Sequence, residues 1–427
     1  MKTWKAALAA AIAVIGSTWL LHGGSADAQV LDSLKQRTQK QKQQPQQARQ
    51  PQIPNVSREE SAAILPLYQA SQAQDWAAAS AALPAARAGA SSPAARFLVG
   101  QLTLEIGRGT SNMQLQSQAV EAMIASGAAP PEVMPTLLAA QAGFAIDAGD
   151  FARAEGLVAR LVESNPNDVN RITQLAQIKI RLNKMPEALA LYQRALQLSE
   201  AAGTRASEET YQRTLAIAYQ GRMAQPALEL SRALVTAYPT PANWRSALGV
   251  HRELAGLSGA HELDLRRLMR VAGALASEAD YVEYAEAANR GAMFGEVKAV
   301  LDEGLSRNVI RGAAGYARQM LTTVEGRIAD DRGSLPQQRS AALAGSDGAR
   351  VMRIADAYYS YGQYAEAAEL YRAALQKGAE ANLANTRLGA ALAMAGQRPA
   401  AEAAFRAVTG ARAPLAQFWL LWLSTRT

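Results

Sequence analysis

Chemistry in this chain would have to come from few residues. The 427-residue sequence contains no cysteine. That excludes disulfides, thiolate metal sites, thiol nucleophiles and lipid attachment through an N-terminal cysteine. Of three histidines, His251 and His261 could pair as ligands, but their spacing places them off a shared helical face and neither lies in an HExxH pattern. Gly107-Arg108-Gly109 has two glycines of a phosphate loop but neither the preceding strand nor the rest of a glycine fingerprint. Gly256-Leu257-Ser258-Gly259 is not a GxSxG nucleophile elbow. The carboxylates Glu283, Glu286, Asp302 and Glu303 read as a solvated helical face, with no pairing that would tune an acid or base. No catalytic residue, metal ligand or cofactor is expected, and the chain reads as not an enzyme.

The elements that must carry these residues are helices. Hydrophobic residues make up 49% of the chain but aromatics only 6%, so alanine dominates, and small apolar residues favour closely packed helices over sheets. Residues 348–381 show how. Ile354, Ala355 and Tyr358 share one helical face; Gly362 offers a turn through positive φ; Ala367, Tyr371 and Ala374 then recur on a second helix. Thirty-four residues on, Leu388, Gly389, Leu392, Gly396, Ala401, Phe405 and Val408 repeat the same size classes. A lone hairpin of this kind cannot bury its apolar face, so neighbours must stack.

This pattern resembles the tetratricopeptide repeat (TPR), a 34-residue helix–turn–helix. The resemblance implies an all-α fold, an α-solenoid whose repeats wind into a right-handed superhelix with a ligand-binding inner face, closed by a C-terminal capping helix. Weaker copies are expected backwards along the chain. Pro135, Leu138, Ala142, Gly149, Ala154 and Val158 begin one; Ile172, Leu175, Ala188 and Tyr192 mark the next; Gly221 and Leu230 mark another. In the middle, Trp244 and Leu248 resemble a first helix, while the helix around residues 263–271 is off register. Two helical segments split near Gly333 and Pro336 are expected between residues 312 and 347. Asp75-Trp76, Asp150-Phe151 and Gln363-Tyr364 share a polar residue opening the second helix of a hairpin.

The ends read differently. Residues 1–28 read as a cleavable secretory signal peptide: Lys2 and Lys5, then an apolar run, then Ala26-Asp27-Ala28 before cleavage between Ala28 and Gln29. The apolar run, residues 6–21, is shorter than the roughly 20 residues a bilayer span needs. The mature form is therefore expected to be periplasmic and without a transmembrane segment. Residues 29–56 are a Gln/Pro-rich basic linker, too poor in large apolar residues to offset ordering. This linker holds +4 of the chain's formal charge of +7, and the signal peptide another +1. The body is nearly neutral, so no nucleic acid is expected as partner, although the linker could meet an anionic surface or envelope polymer. Residues 415–424, with Phe418, Trp419 and Trp422, read as a cap. As a helix they cover about 15 Å, half a bilayer core. The chain thus divides into residues 1–28, 29–56, a TPR-like array over 57–240, irregular helical repeats over 241–347, two well-formed repeats over 348–415, and a cap over 416–427.

In the TPR family the ligand lies along the first helices. Carried residue by residue, the resemblance implies groove positions at Asn170, Thr173, Gln177 and Arg181, at Tyr211 and Tyr219, at Glu286, Asn289 and Arg290, and at Asp356 and Tyr359. Amide, aromatic and both charge signs suit a peptide groove. The Lys/Asn cluster that grips a terminal carboxylate in chaperone-binding members is missing. The expected function is a non-enzymatic protein-interaction scaffold of the cell envelope. A rival is an assembly or export factor for exopolysaccharide or outer-membrane components. Periplasmic lytic transglycosylases are also similar in their alanine-rich superhelix, but no room for their catalytic domain follows Ala413.

Overall fold

A computed structural model describes residues 56–255, 259–311 and 315–426. The expected signal peptide and nearly all of the expected linker lie outside these residues. The described residues are all-α, with no strand, and fall into two compact units that divide between Thr204 and Arg205.

The first unit holds four hairpins: α1 (Arg58–Gln72) with α2 (Trp76–Gly89), α3 (Pro93–Gly109) with α4 (Met113–Ala125), α5 (Met134–Asp147) with α6 (Phe151–Ser164), and α7 (Val169–Arg181) with α8 (Met185–Ala201). Each helix packs on the next along the chain. Polar residues start them. Ser57 forms a capping box with Glu60, and the Asp75 and Asp150 side chains accept from Ala78 and Arg153 N–H at 3.0 Å. Glu60 also accepts from Ser91 and Ser92 N–H, tying the first hairpin to the second. The apolar faces bury Ile64 and Leu83 near the start, Val120 and Met123 next, then Leu138, Val158 and Ile172. Each such residue contributes about 1.5–3 kcal/mol by leaving water.

The second unit continues the pattern with α9 (Glu208–Gln220) and α10 (Ala224–Ala237), α11 (Pro241–Leu254) and α12 (Ala260–Val271), and α13 (Glu278–Arg290) and α14 (Phe294–Ser306). After α15 (Tyr316–Ala344) come α16 (Gly348–Ser360) with α17 (Tyr364–Gln376), α18 (Ala381–Met394) with α19 (Arg398–Arg406), and α20 (Ala413–Ser424). The 348–413 grid is realised as two hairpins. Ala355, Ala367 and Tyr371 are fully buried, and Gly362 turns at φ +73°. At the place equivalent to Ala355, Gly389 lies so close to Phe405 that an added Cβ would stand 2.6 Å from the ring. These hairpins and their adjacent packing make the fold a TPR-like α-solenoid.

One local expectation is corrected. Residues 316–344 are one continuous helix, not two segments split near Gly333. Pro336 removes a single N–H donor, and buried Leu335 and Ala342 hold the turns beside it. Gln363 opens α17 at its N-cap position as expected, though without the side-chain bond that Asp75 and Asp150 make. In the turn that follows Gly221 the residue with positive φ is Arg222, at φ 53°.

Candidate functional site

The residues expected to line a groove part into two groups. On α7, Asn170, Thr173, Gln177 and Arg181 follow one another at spacings of three or four, so they form a row on one helical face. Asn170 and Arg181 are exposed, and Thr173 and Gln177 half-buried. The Thr173 hydroxyl donates to the Val169 carbonyl at 2.9 Å, and Arg181 lies over the Phe151 ring at 5.9 Å. Behind the row, Lys179 is clamped by Glu155 and Glu187.

In the second unit the corresponding residues are scattered. Tyr211 is buried against Tyr238, ring edge to ring face at 6.1 Å. Tyr219 is half-buried, and burial with the neighbouring Glu253 pushes its phenol up to about 12. Glu286 is half-buried and hydrogen-bonded with Tyr316; Asn289 and Arg290 are exposed. Asp356 and Tyr359, however, are almost wholly buried.

The cover over Asp356 and Tyr359 is α12. Every residue from 263 to 269, nearly two turns, is buried, so no side of this stretch faces water. A hairpin's second helix normally keeps one solvated face. Here α12 instead lies among the other helices of its unit, and its polar residues find partners far along the chain. Asp264 accepts from Arg387 Nε at 2.9 Å and Arg412 Nη1 at 2.7 Å. Arg387 Nη1 also reaches Asp356 at 2.5 Å, and Tyr371 donates to the other Asp356 oxygen at 2.6 Å. Arg267 grips Glu296 with two parallel bonds of 2.8 and 2.7 Å, Tyr284 donates to the same carboxylate, and the guanidinium lies 4.1 Å from the centre of the Tyr359 ring.

Three carboxylates thus balance three guanidiniums out of water. Burial works to raise the Asp264 pKa, but Arg387, Arg267 and Arg412 hold it below the usual carboxylate range. Glu296 is likewise lowered against its burial by Arg267. At Asp356 burial prevails over Arg387, and the pKa is raised. The C-terminal helix closes the same centre. Phe418 packs edge-on to Trp244, Trp419 stacks on Phe405 at 5.5 Å, and Trp422 Nε1 donates to the Val271 carbonyl at 3.2 Å. So α20 covers the last hairpin, as a cap should, and also returns to α11 and α12.

Beside the network opens a cavity of about 700 Å³, within the range of ligand pockets. It is lined by buried Arg267, Tyr284, Glu296, Tyr359 and Trp422, by half-buried Arg270, Tyr361 and Tyr364, and by exposed Arg332 and Arg426. Arg270 pairs with Glu303 at 2.7 Å and Lys298 with Asp302 at 2.9 Å. Among the described residues no group of three or more His, Asp or Glu is placed to hold a metal ion. None of their helices is long and apolar enough to cross a membrane.

Residue-by-residue reading named the α7 row but not Asp264, Arg267, Glu296, Arg387 and Arg412. One signal was present. The helix around residues 263–271 falls off the register of the repeat grid.

No family model matches the sequence, and no curated protein matches it. Similar solved structures include a tetratricopeptide repeat protein from Parabacteroides merdae, 12% identical over 63% of this chain and 100% of that one, with a TM-score of 0.27. The APC/C hetero-tetramer Cut9–Hcn1 gives 14% identity over 84% and 66%, TM-score 0.23. Naa15/Naa10 bound to HypK-THB gives 13% over 92% and 70%, TM-score 0.28. The class of the protein rests on its own hairpins: an α-solenoid of TPR-like repeats.

Proposed function

We propose that this chain is a non-enzymatic protein-interaction scaffold of the cell envelope, exported by residues 1–28, which takes a protein or peptide segment along the first-helix face of its first unit. The observation that carries the reading is the α7 row. Asn170, Thr173, Gln177 and Arg181 offer amide, hydroxyl and guanidinium groups on one face, with Asn170 and Arg181 open to solvent. Their chemistry suits an extended or helical peptide, whose backbone and side chains need mixed donors and acceptors. The equivalent face of the second unit is taken up by α12 at Asp356 and Tyr359.

The test places a photo-crosslinking amino acid at Asn170 or Gln177 in cells and, as a control, at exposed Arg353 in the second unit. Discrete adducts at the α7 positions, in the periplasmic fraction, and reduced by Arg181→Glu are expected. Equal labelling at all three positions, or a protein retained in the cytoplasm, would defeat the reading.

A further inference from the structure

The second unit's cavity carries a separate inference, independent of the α7 face. Its inner charges are already matched: Arg267 with Glu296, Arg270 with Glu303, Lys298 with Asp302. Two arginines nearer solvent are not. Among the described residues Arg332 and Arg426 have no carboxylate partner. Each is laid against a cavity aromatic instead, Arg332 over Tyr361 at 5.9 Å and Arg426 over Trp422 at 4.3 Å. Such stacking leaves the edge of the Arg332 guanidinium open to bind, and on Arg426 the donors beyond one long bond from Nη2 to the Val271 carbonyl at 3.5 Å.

A second observation points the same way. Tyr359 and Tyr364 contact each other as rings at 5.1 Å, yet neither hydroxyl has a hydrogen-bond partner among the described residues. Tyr359 is only 6% exposed. Neither hydroxyl is among the side-chain atoms sealed from solvent without a partner, so each opens on the cavity and can donate to a ligand that supplies an acceptor. The lining therefore offers donors without matched acceptors, and between them the apolar surfaces of Tyr364, Met394 and Trp422.

We propose that this cavity binds a short acidic peptide. One carboxylate takes each of Arg332 and Arg426, an apolar side chain between them packs on Tyr364 and Trp422, and a backbone carbonyl or carboxylate accepts from the tyrosine hydroxyls. The volume suits a segment of a few residues and not a folded domain. Planar guanidiniums select the two-oxygen edge of a carboxylate.

The experiment uses the full chain and an array of pentapeptides with glutamate or aspartate at both ends and every apolar combination between. A matched array carries glutamine or asparagine at the ends. Acidic members are expected to bind and to change Trp422 fluorescence, and their amide counterparts to bind at least about tenfold more weakly. Arg332→Glu and Arg426→Glu, both on exposed side chains, should each weaken binding about tenfold, with the thermal melt unchanged. Tyr364→Phe keeps the ring and should cost a few-fold. If no acidic member outbinds its amide counterpart, the proposal fails. It also fails if inorganic phosphate or anionic lipid vesicles bind with the same arginine dependence while no peptide does.

Discussion

The two units use one hairpin in two ways. In residues 56–204 the side-chain links join neighbours: Ser71 to Glu105 spans 34 residues, Glu121 to Arg153 spans 32, and Glu155 to Lys184 spans 29. Each apolar cluster there likewise draws on adjacent hairpins. In residues 205–427 the links jump. Asp264 meets Arg387 across 123 residues and Arg412 across 148, and Val271 meets Trp422 across 151. One apolar cluster runs from Val235 to Leu423. A stack of repeats whose contacts are all nearest-neighbour behaves as a one-dimensional array. Inserting α12 and α20 among the repeats turns the second array into a unit with a centre, and removes from Asp356 and Tyr359 the surface a partner would need.

The sharpest way to break this contrast is Asp264→Ala. It leaves Arg267, Arg387 and Arg412 facing one another with a central anion gone. Loss of one partner from a buried charge network costs about 3–5 kcal/mol. Denaturation followed by segment-resolved hydrogen exchange should show faster opening throughout α11–α20, with α1–α8 unchanged. Exchange that rises only in α12 would mean the second unit is as local as the first.

How much of this was legible follows from how far each residue reaches. The hairpins of residues 348–413 could be read because Ala355, Ala367 and Tyr371 act on partners within one repeat, and the 34-residue period records that. Trp419 and Trp422 announced a buried terminal helix because so many apolar side chains in one short stretch need cover. The place of α12 could not be read, since Arg267 beside a solvated face and Arg267 clamped on Glu296 are written with the same letters. Only its misfit to the repeat grid showed. For the same reason Asp356 and Tyr359, which occupy the right positions on a first helix, are covered by a segment roughly 90 residues earlier in the chain.

A smaller effect tests whether α20 belongs to that centre. His251 on α11 is 1% exposed, its ring lies 5.9 Å from that of Phe418 on α20, and neither ring nitrogen has a partner among the described residues. Burial, helped by the charges of His261 and Arg232, lowers its pKa to about 4 from an ordinary value of 6.5. Between those values the unfolded chain binds the proton and the folded chain does not. The neutral ring's contribution is therefore complete above pH 6.5 and is lost as pH falls towards 4, by about 3 kcal/mol in all. Urea denaturation of the wild type at pH 7 and 4.5 should differ more than that of His251→Phe, whose core position no longer titrates. Parallel slopes in the two proteins would remove His251 from the α11–α20 contact.

The smallest effect is the most discriminating about burial itself. Arg153 and Glu121 join successive hairpins of the first unit at 2.8 Å, much as Arg412 joins Asp264 in the second at 2.7 Å. Their side chains are 42% and 55% exposed, whereas those of Arg412 and Asp264 are 8% and 3% exposed. Water and salt screen the first pair, and the side-chain entropy lost in holding it offsets much of the attraction. Arg153→Ala should change unfolding free energy by less than about 0.5 kcal/mol, and less still at high salt. An ion pair of similar length would then be worth several-fold less where water reaches it than inside the buried Asp264 network. A loss above about 1 kcal/mol for Arg153→Ala would instead make the inter-hairpin ion pair a general device of the fold, independent of whether a central helix covers it.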